Sequence, residues 1–202
     1  YISLGGVYEV KNKSTTIKEI TAKVFRQSDN ATLSLIWSTF PSPIYRKVAG
    51  NFETSFETAH SFKVEADTLA PAFVEFADKC ANMDEVSNNI LYPVVCATMP
   101  IFSQPNATLP IVDGAVRALP EYALAKIALN DHFFWKADEY EMVITTIHSK
   151  GTFDKKYVFS LSDAESFRLR NNIDSVLVSH VANHFGIPVQ VNTVAKGFKE
   201  KN

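Results

Sequence analysis

Polar and apolar residues alternate most regularly over residues 52–64. Phe52, Thr54, Phe56, Thr58, His60, Phe62 and Val64 share one face of an extended chain, and Glu53, Ser55, Glu57, Ala59, Ser61, Lys63 and Glu65 share the other. A period of two over this length predicts a long strand with one wet face. At about 3.3 Å per residue it would span about 43 Å, so it bends at a bulge or projects as a hairpin arm. Two earlier runs, 15–26 and 31–40, are rich in Thr, Ile, Val, Phe and Trp and read as strands separated by a turn at Ser28-Asp29-Asn30. In the second run Leu33, Leu35 and Trp37 fall on one side, opposite Thr32, Ser34 and Ser38, and Pro41-Ser42-Pro43 is expected to stop it.

The pattern then changes period. Leu69, Phe73, Phe76, Cys80 and Met83 recur at helical spacing, with Asp67 or Thr68 as cap and Pro71 in the first turn, which predicts a helix with Cys80 pointing into the core. Residues 90–98 are almost wholly apolar and read as a buried strand broken near Pro93. Between 100 and 120 stand Pro100, Pro105, Pro110 and Pro120, which predicts a proline-rich loop, either functional or lying flat on the surface. A short helix is expected over 120–131 and a hairpin over 139–148 and 152–161, joined by Ser149-Lys150-Gly151. Ser162 and Glu165 form a capping box for a helix over 163–185, with Leu169, Ile173, Val176, Leu177, His180 and His184 on one stripe and Gly186 as its C-cap. A last strand over 188–194 precedes a basic tail. Together these predict a single α+β domain over 1–202, a mainly antiparallel sheet with two longer helices and one short helix packed on one face.

Composition narrows the function more than the fold. At 202 residues and 46% hydrophobic, the chain buries enough surface to need no disulfide or metal for stability. No stretch approaches the roughly 18 apolar residues of a membrane helix, and the opening residues lack the basic start and apolar run of a signal peptide. A soluble protein, intracellular or in a virion, with no membrane partner, is therefore expected; Tyr1 points to a missing initiator or to trimming. The two cysteines, Cys80 and Cys96, read as reduced, buried thiols. Asn12, Asn30 and Asn106 match the glycosylation acceptor pattern at the frequency chance provides. An excess of lysine over arginine, with abundant Phe and Asn, matches AT-rich coding of the kind found in many bacteriophages.

The formal charge of −2 rules out a wholesale polyanion binder, but its distribution is uneven. Residues 1–30 and 151–202 each carry net +2, whereas 31–80 carry −2 and 81–150 carry −4. Basic ends and an acidic centre suit head-to-tail stacking of copies. Lys11, Lys13, Lys18, Lys23 and Arg26 flank aromatics in the first strands, a pattern that serves single-strand nucleic-acid binding and also serves a solvated strand face.

Candidate chemistry is sparse. His180 and His184 lie one helical turn apart, a spacing that can hold zinc, with His148, His132 or Asp131 as a third ligand; Val181 occupies the place a metalloprotease helix gives to Glu. Asp131, Asp138, Glu139 and Glu141 form an acidic stretch that reads as acid–base pair, cation site or charged strand edge. There is no G-x-S-x-G, no P-loop and no dinucleotide fingerprint at Gly5-Gly6, and no catalytic residue or cofactor is assigned. The leading expectation is a non-enzymatic structural or interaction protein, a viral or phage assembly subunit that self-associates. Its contacts would come from Phe52, Phe56 and Phe62 on the arm and from Ile101, Phe102, Leu109 and Ile111 on the loop. The alternatives are a single-stranded nucleic-acid-binding protein and a metal-dependent enzyme using His180 and His184.

Overall fold

Strand β2 (Thr15–Arg26) keeps one side out of water along its length although its sequence does not alternate strictly. Thr15 and Ile17 are buried, then Ile20, Ala22, Val24 and Arg26. The step from odd to even positions is taken by a bulge between Ile17 and Glu19 in the pairing with β7 (Asp138–His148). One extra residue keeps the apolar set on one side, where a slip in register would turn it outward.

These strands belong to one of two compact units in the computed structural model, which describes residues 2–48, 51–58, 61–78 and 86–201. The sheet unit comprises Tyr1–Lys79, Glu139–Phe159 and Gly197–Asn202; the helical unit comprises Cys80–Asp138 and Ser160–Lys196. The sheet runs in the order β1 (Ile2–Glu9), β6 (Leu69–Asp78), β3 (Thr32–Val48), β2, β7, β8 (Gly151–Leu161) and β9 (Lys199–Glu200). Off this path β4 (Asn51–Thr58) pairs with β3, and β5 (Phe62–Val64) with β2. The pairing is mainly antiparallel and the chain is an α+β protein, as the patterning predicts.

Register brings the core together. Ile20 lies opposite Thr146, Ala22 opposite Ile144 and Leu35, and Val24 opposite Met142. Trp37 lies opposite Phe76, and Val74 opposite Leu4. The sheet curls around this side until Tyr8 of β1 lies beside the side chain of Thr146 on β7. Two tight turns close one end. Asn12 and Asp67 take positive φ of 70° and 57°, the Asp67 N–H donates to the Val10 carbonyl (2.7 Å), and the Ser14 hydroxyl donates to Glu65 (2.6 Å). Short polar side chains tolerate that left-handed conformation.

Several expected elements change identity. The helix expected from residue 69 is β6, because Val74 and Phe76 bury on one side at strand spacing and pair with β1 and β3. Pro71 is accommodated where β6 has only β1 beside it among the described residues, so its missing N–H interrupts no second ladder. Cys80 and Met83 lie outside the described residues. The single strand expected over 52–64 is two, β4 and β5, paired with different neighbours. Pro41 and Pro43 do not end β3, which carries them in a register irregularity between Pro41 and Tyr45.

In the helical unit, residues 90–98 are helical rather than extended: a π-helical turn, Ser87–Leu91, leads into α1 (Tyr92–Phe102). A wholly apolar run carries no period, and Val94 and Thr98 bury one turn apart. Cys96 is consequently exposed, on the side opposite to the buried position expected for it. The proline-rich loop is interrupted by α2 (Leu109–Arg117), followed by α3 (Pro120–Asp131). Pro110 and Pro120 each stand in the first turn of a helix after an extended N-cap residue, where no N–H is needed, so they start helices here, whereas Pro93 follows directly on the π-helical turn.

The expected helix over 163–185 is three: α4 (Asp163–Arg170), α5 (Asn172–Leu177) and α6 (Ser179–His184). Its capping box forms, the Ser162 N–H donating to Glu165 (2.9 Å), and Gly186 ends it at φ 67° with the Ile187 N–H donating to the Ala182 carbonyl (2.9 Å). Ile173, Leu177 and Val181 stay on one stripe through the breaks and join Val94, Val112, Val116, Tyr122 and Ala125 in a core. The strand expected over 188–194 is absent among the described residues. Asn172 instead accepts the Asn192 N–H (2.7 Å) and donates to its carbonyl (2.9 Å), meeting the hydrogen bonds a strand would have made. The helix inventory therefore differs from two longer helices and one short one; among the described residues six α-helices occur, none beyond 12 residues.

Candidate functional site

The feature that separates this sheet from an ordinary one is a two-stranded ribbon. β3 pairs with β2 over 32–36 and with β6 over 35–39. Beyond that point its partner among the described residues is β4, from Phe40 opposite Glu57 to Val48 opposite Asn51. From Pro41 to Val48 the ribbon extends about 26 Å at about 3.3 Å per residue. β4 pairs with β3 alone among the described residues, so no described strand lies along its outer backbone edge. Such an edge is a template for pairing with another chain. Phe52 and Phe56 lie on β4, opposite Lys47 and Pro41.

The other interaction candidates are dispersed. Phe62 meets Tyr8 and Trp37 edge-on at ring separations of 5.7 and 6.0 Å, inside the sheet unit. Ile101, Phe102 and Leu109 are half-buried against the helical core, whereas Ile111 is exposed. The basic residues also divide. Lys11 and Lys13 are exposed in the turn after β1, and Lys18 and Lys23 are exposed on β2, Lys23 lying 5.7 Å from the Phe25 ring. Arg26 is buried and donates twice to Asp29, at 2.9 and 2.6 Å, so it serves the turn at Ser28-Asp29-Asn30 and presents no guanidinium to a phosphate.

His180 and His184 face Phe102 from α6. His184 stacks on that ring at 4.0 Å, and His180 meets it edge-on at 6.3 Å. His180 Nε2 lies 2.9 Å from the Thr98 hydroxyl, which also donates to the Val94 carbonyl at 2.7 Å. His148 belongs to the sheet unit, beside Thr15, and His132 and Asp131 are exposed at the end of α3. Among the described residues no three His, Cys, Asp or Glu side chains gather around a point where a metal ion could sit. Burial lowers the His180 pKa, against a smaller opposing effect of the Leu177 carbonyl. The unfolded chain therefore takes up this proton first. The stability contributed by neutral His180 is complete above the ordinary value of 6.5 and is lost as pH falls through it toward the lowered folded value. Urea midpoints between about pH 5 and pH 8 should fall on the acid side, and less so in His180→Gln.

Of the acidic stretch, Glu141 pairs with Lys201 at 2.5 Å, which holds it below the usual carboxylate range. The Glu139 carbonyl accepts the Gln27 N–H at 2.9 Å. The best-connected polar group is one the pattern did not single out. Tyr122 donates to Asp174 at 2.5 Å and accepts from Arg117 at 3.0 Å. Arg117 also donates to Asp113 at 2.8 Å, and Lys126 pairs with Asp174 at 2.8 Å. Burial first, and then the bond to Asp174, push Tyr122 up to about 12. The i,i+4 pair Asp113–Arg117 was the legible signal. The network ties α2, α3 and α5, so Tyr122→Phe should destabilise the helical unit by about 1–3 kcal/mol, read from the urea midpoint.

Comparison with protein-family models, with curated proteins and with solved structures found no match. Among the described residues no helix is long and apolar enough to cross a membrane.

Proposed function

We propose that this chain is a non-enzymatic structural or interaction protein that self-associates, an assembly subunit of viral or phage type. The observation that supports this reading most is the β3–β4 ribbon, which runs past the last paired residues of β6 and leaves the β4 edge without a strand partner among the described residues. Edge pairing between copies would give affinity through backbone hydrogen bonds, and the aromatic alternation of 52–56 in the sequence would give register. The basic ends and acidic centre add complementary charge, and composition supplies the viral or phage element.

The test is solution mass by light scattering behind size exclusion, at two protein and two salt concentrations. The expected result is a species heavier than 22.5 kDa whose share grows with protein concentration. A monomer under all four conditions would overturn the reading.

A further inference from the structure

The curled side of the sheet forms an open cavity of about 530 Å³ between β1 and the β7–β8 hairpin. That volume lies within the roughly 300–1,000 Å³ of small-molecule sites. Its floor is built from Ile20, Val74 and Met142, all buried. This apolar floor gains from being covered by an apolar occupant.

The walls select the shape of that occupant. Tyr8, Phe153, Tyr157 and Phe198 all line the cavity, and Tyr157 and Phe198 meet edge-on at a centroid separation of 6.3 Å. Rings arranged this way, with a thioether on the floor, favour a flat ring system over a flexible chain. Val7 and Phe153, 62% and 40% exposed, stand at the mouth and leave it open to solvent.

The polar groups select its charge. Lys155 lines the cavity but is ion-paired with Glu200, and Glu9 adds a further carboxylate. An entering anion would meet a neutralised lysine and a repelling glutamate, so the mouth disfavours negative charge. The neutral polar groups of the lining are the hydroxyls of Tyr8, Thr146 and Tyr157, of which Tyr8 and Thr146 lie beside each other.

We propose that this cavity binds a neutral, fused-ring molecule carrying one hydroxyl group, with its rings among Tyr8, Tyr157 and Phe198 above Met142 and its hydroxyl at the Tyr8–Thr146 pair. The site is independent of the ribbon and stands whether or not the chain self-associates.

The probe is 2-naphthol, titrated calorimetrically into the full chain, with sodium dodecanoate and 2-naphthalenesulfonate as charged comparators. One saturable site per chain is expected, with both anions at least about tenfold weaker. Ile144→Trp, which fills the cavity from β7, should weaken 2-naphthol at least about tenfold with an unchanged circular dichroism spectrum. Thr146→Val removes a hydroxyl at nearly constant volume and should weaken it about fivefold, the worth of one neutral hydrogen bond. If Ile144→Trp does not fold, Thr146→Val decides alone. Absence of a saturable 2-naphthol site, binding untouched by the folded variants, or an anion that binds as tightly would each overturn the proposal.

Discussion

Replacing residues 42–55 with an Asn-Gly pair should abolish the self-association proposed above and leave the sheet folded. Pro41 and Phe56 are already opposite each other in the ribbon, so a two-residue turn can join them without moving either strand. The pairings of β3 with β2 and β6 end at Thr39 and are untouched. What disappears is the length of ribbon that extends past the sheet, together with most of the open β4 edge. The midpoint of the oligomer–monomer equilibrium should move to at least about hundredfold higher protein concentration, a change of about 2.7 kcal/mol. Sedimentation equilibrium measures it, and the far-ultraviolet spectrum of the remaining sheet is the control. An unchanged midpoint in a folded variant would remove the ribbon from the interface.

Phe76→Ala should be the most damaging single substitution in the sheet unit. Phe76 is wholly buried, opposite Ile2 on one side and Trp37 on the other. Truncating such a ring costs its transfer free energy plus that of the cavity left behind, about 3–5 kcal/mol. Whole domains are stable by only about 5–15 kcal/mol, so the variant should sit near its unfolding threshold at room temperature. Leu69→Ala on the same strand is the comparison. Leu69 is 69% exposed, and its loss should stay within about 0.5 kcal/mol. Urea titration of both proteins gives the difference directly.

How far the fold was legible depended on whether a local signal had one physical meaning. The capping box at Ser162 and the left-handed Gly186 each satisfy helix-end groups in only one way, and both formed as read. The hairpin of β7 and β8 followed from its turn and its alternation. Proline carried two meanings. It ends a helix from within but opens one from the first turn, and Pro110 and Pro120 do the latter. The run at 69–76 satisfied helical and strand periods together, and only the strands on either side of β6 decide between them. Such partners are distant in sequence and leave no trace in a local window.

The candidate sites divide in the same way. The alternation of 52–56 marks β4, but Pro41 and Pro43 hide its partner, because β3 absorbs both prolines in its irregular register. Arg26 carried the right charge for a phosphate; its burial and its two bonds to Asp29 depend on tertiary structure. His180 and His184 were correctly placed one turn apart, yet what they face is Phe102 and Thr98.

The path of the chain through the sheet has a consequence for its birth on the ribosome. β2 is a central strand, and one of its neighbours, β7, is encoded roughly 120 positions later. At about 5–20 residues per second, β2 waits on the order of 6–24 s with one ladder unmade while the helical segment is synthesised. During that interval the apolar side of β2 and β3 is exposed to other nascent chains on the same message. Slow elongation would lengthen the exposure and favour strand pairing between neighbouring polysomal chains over pairing with the chain's own β7.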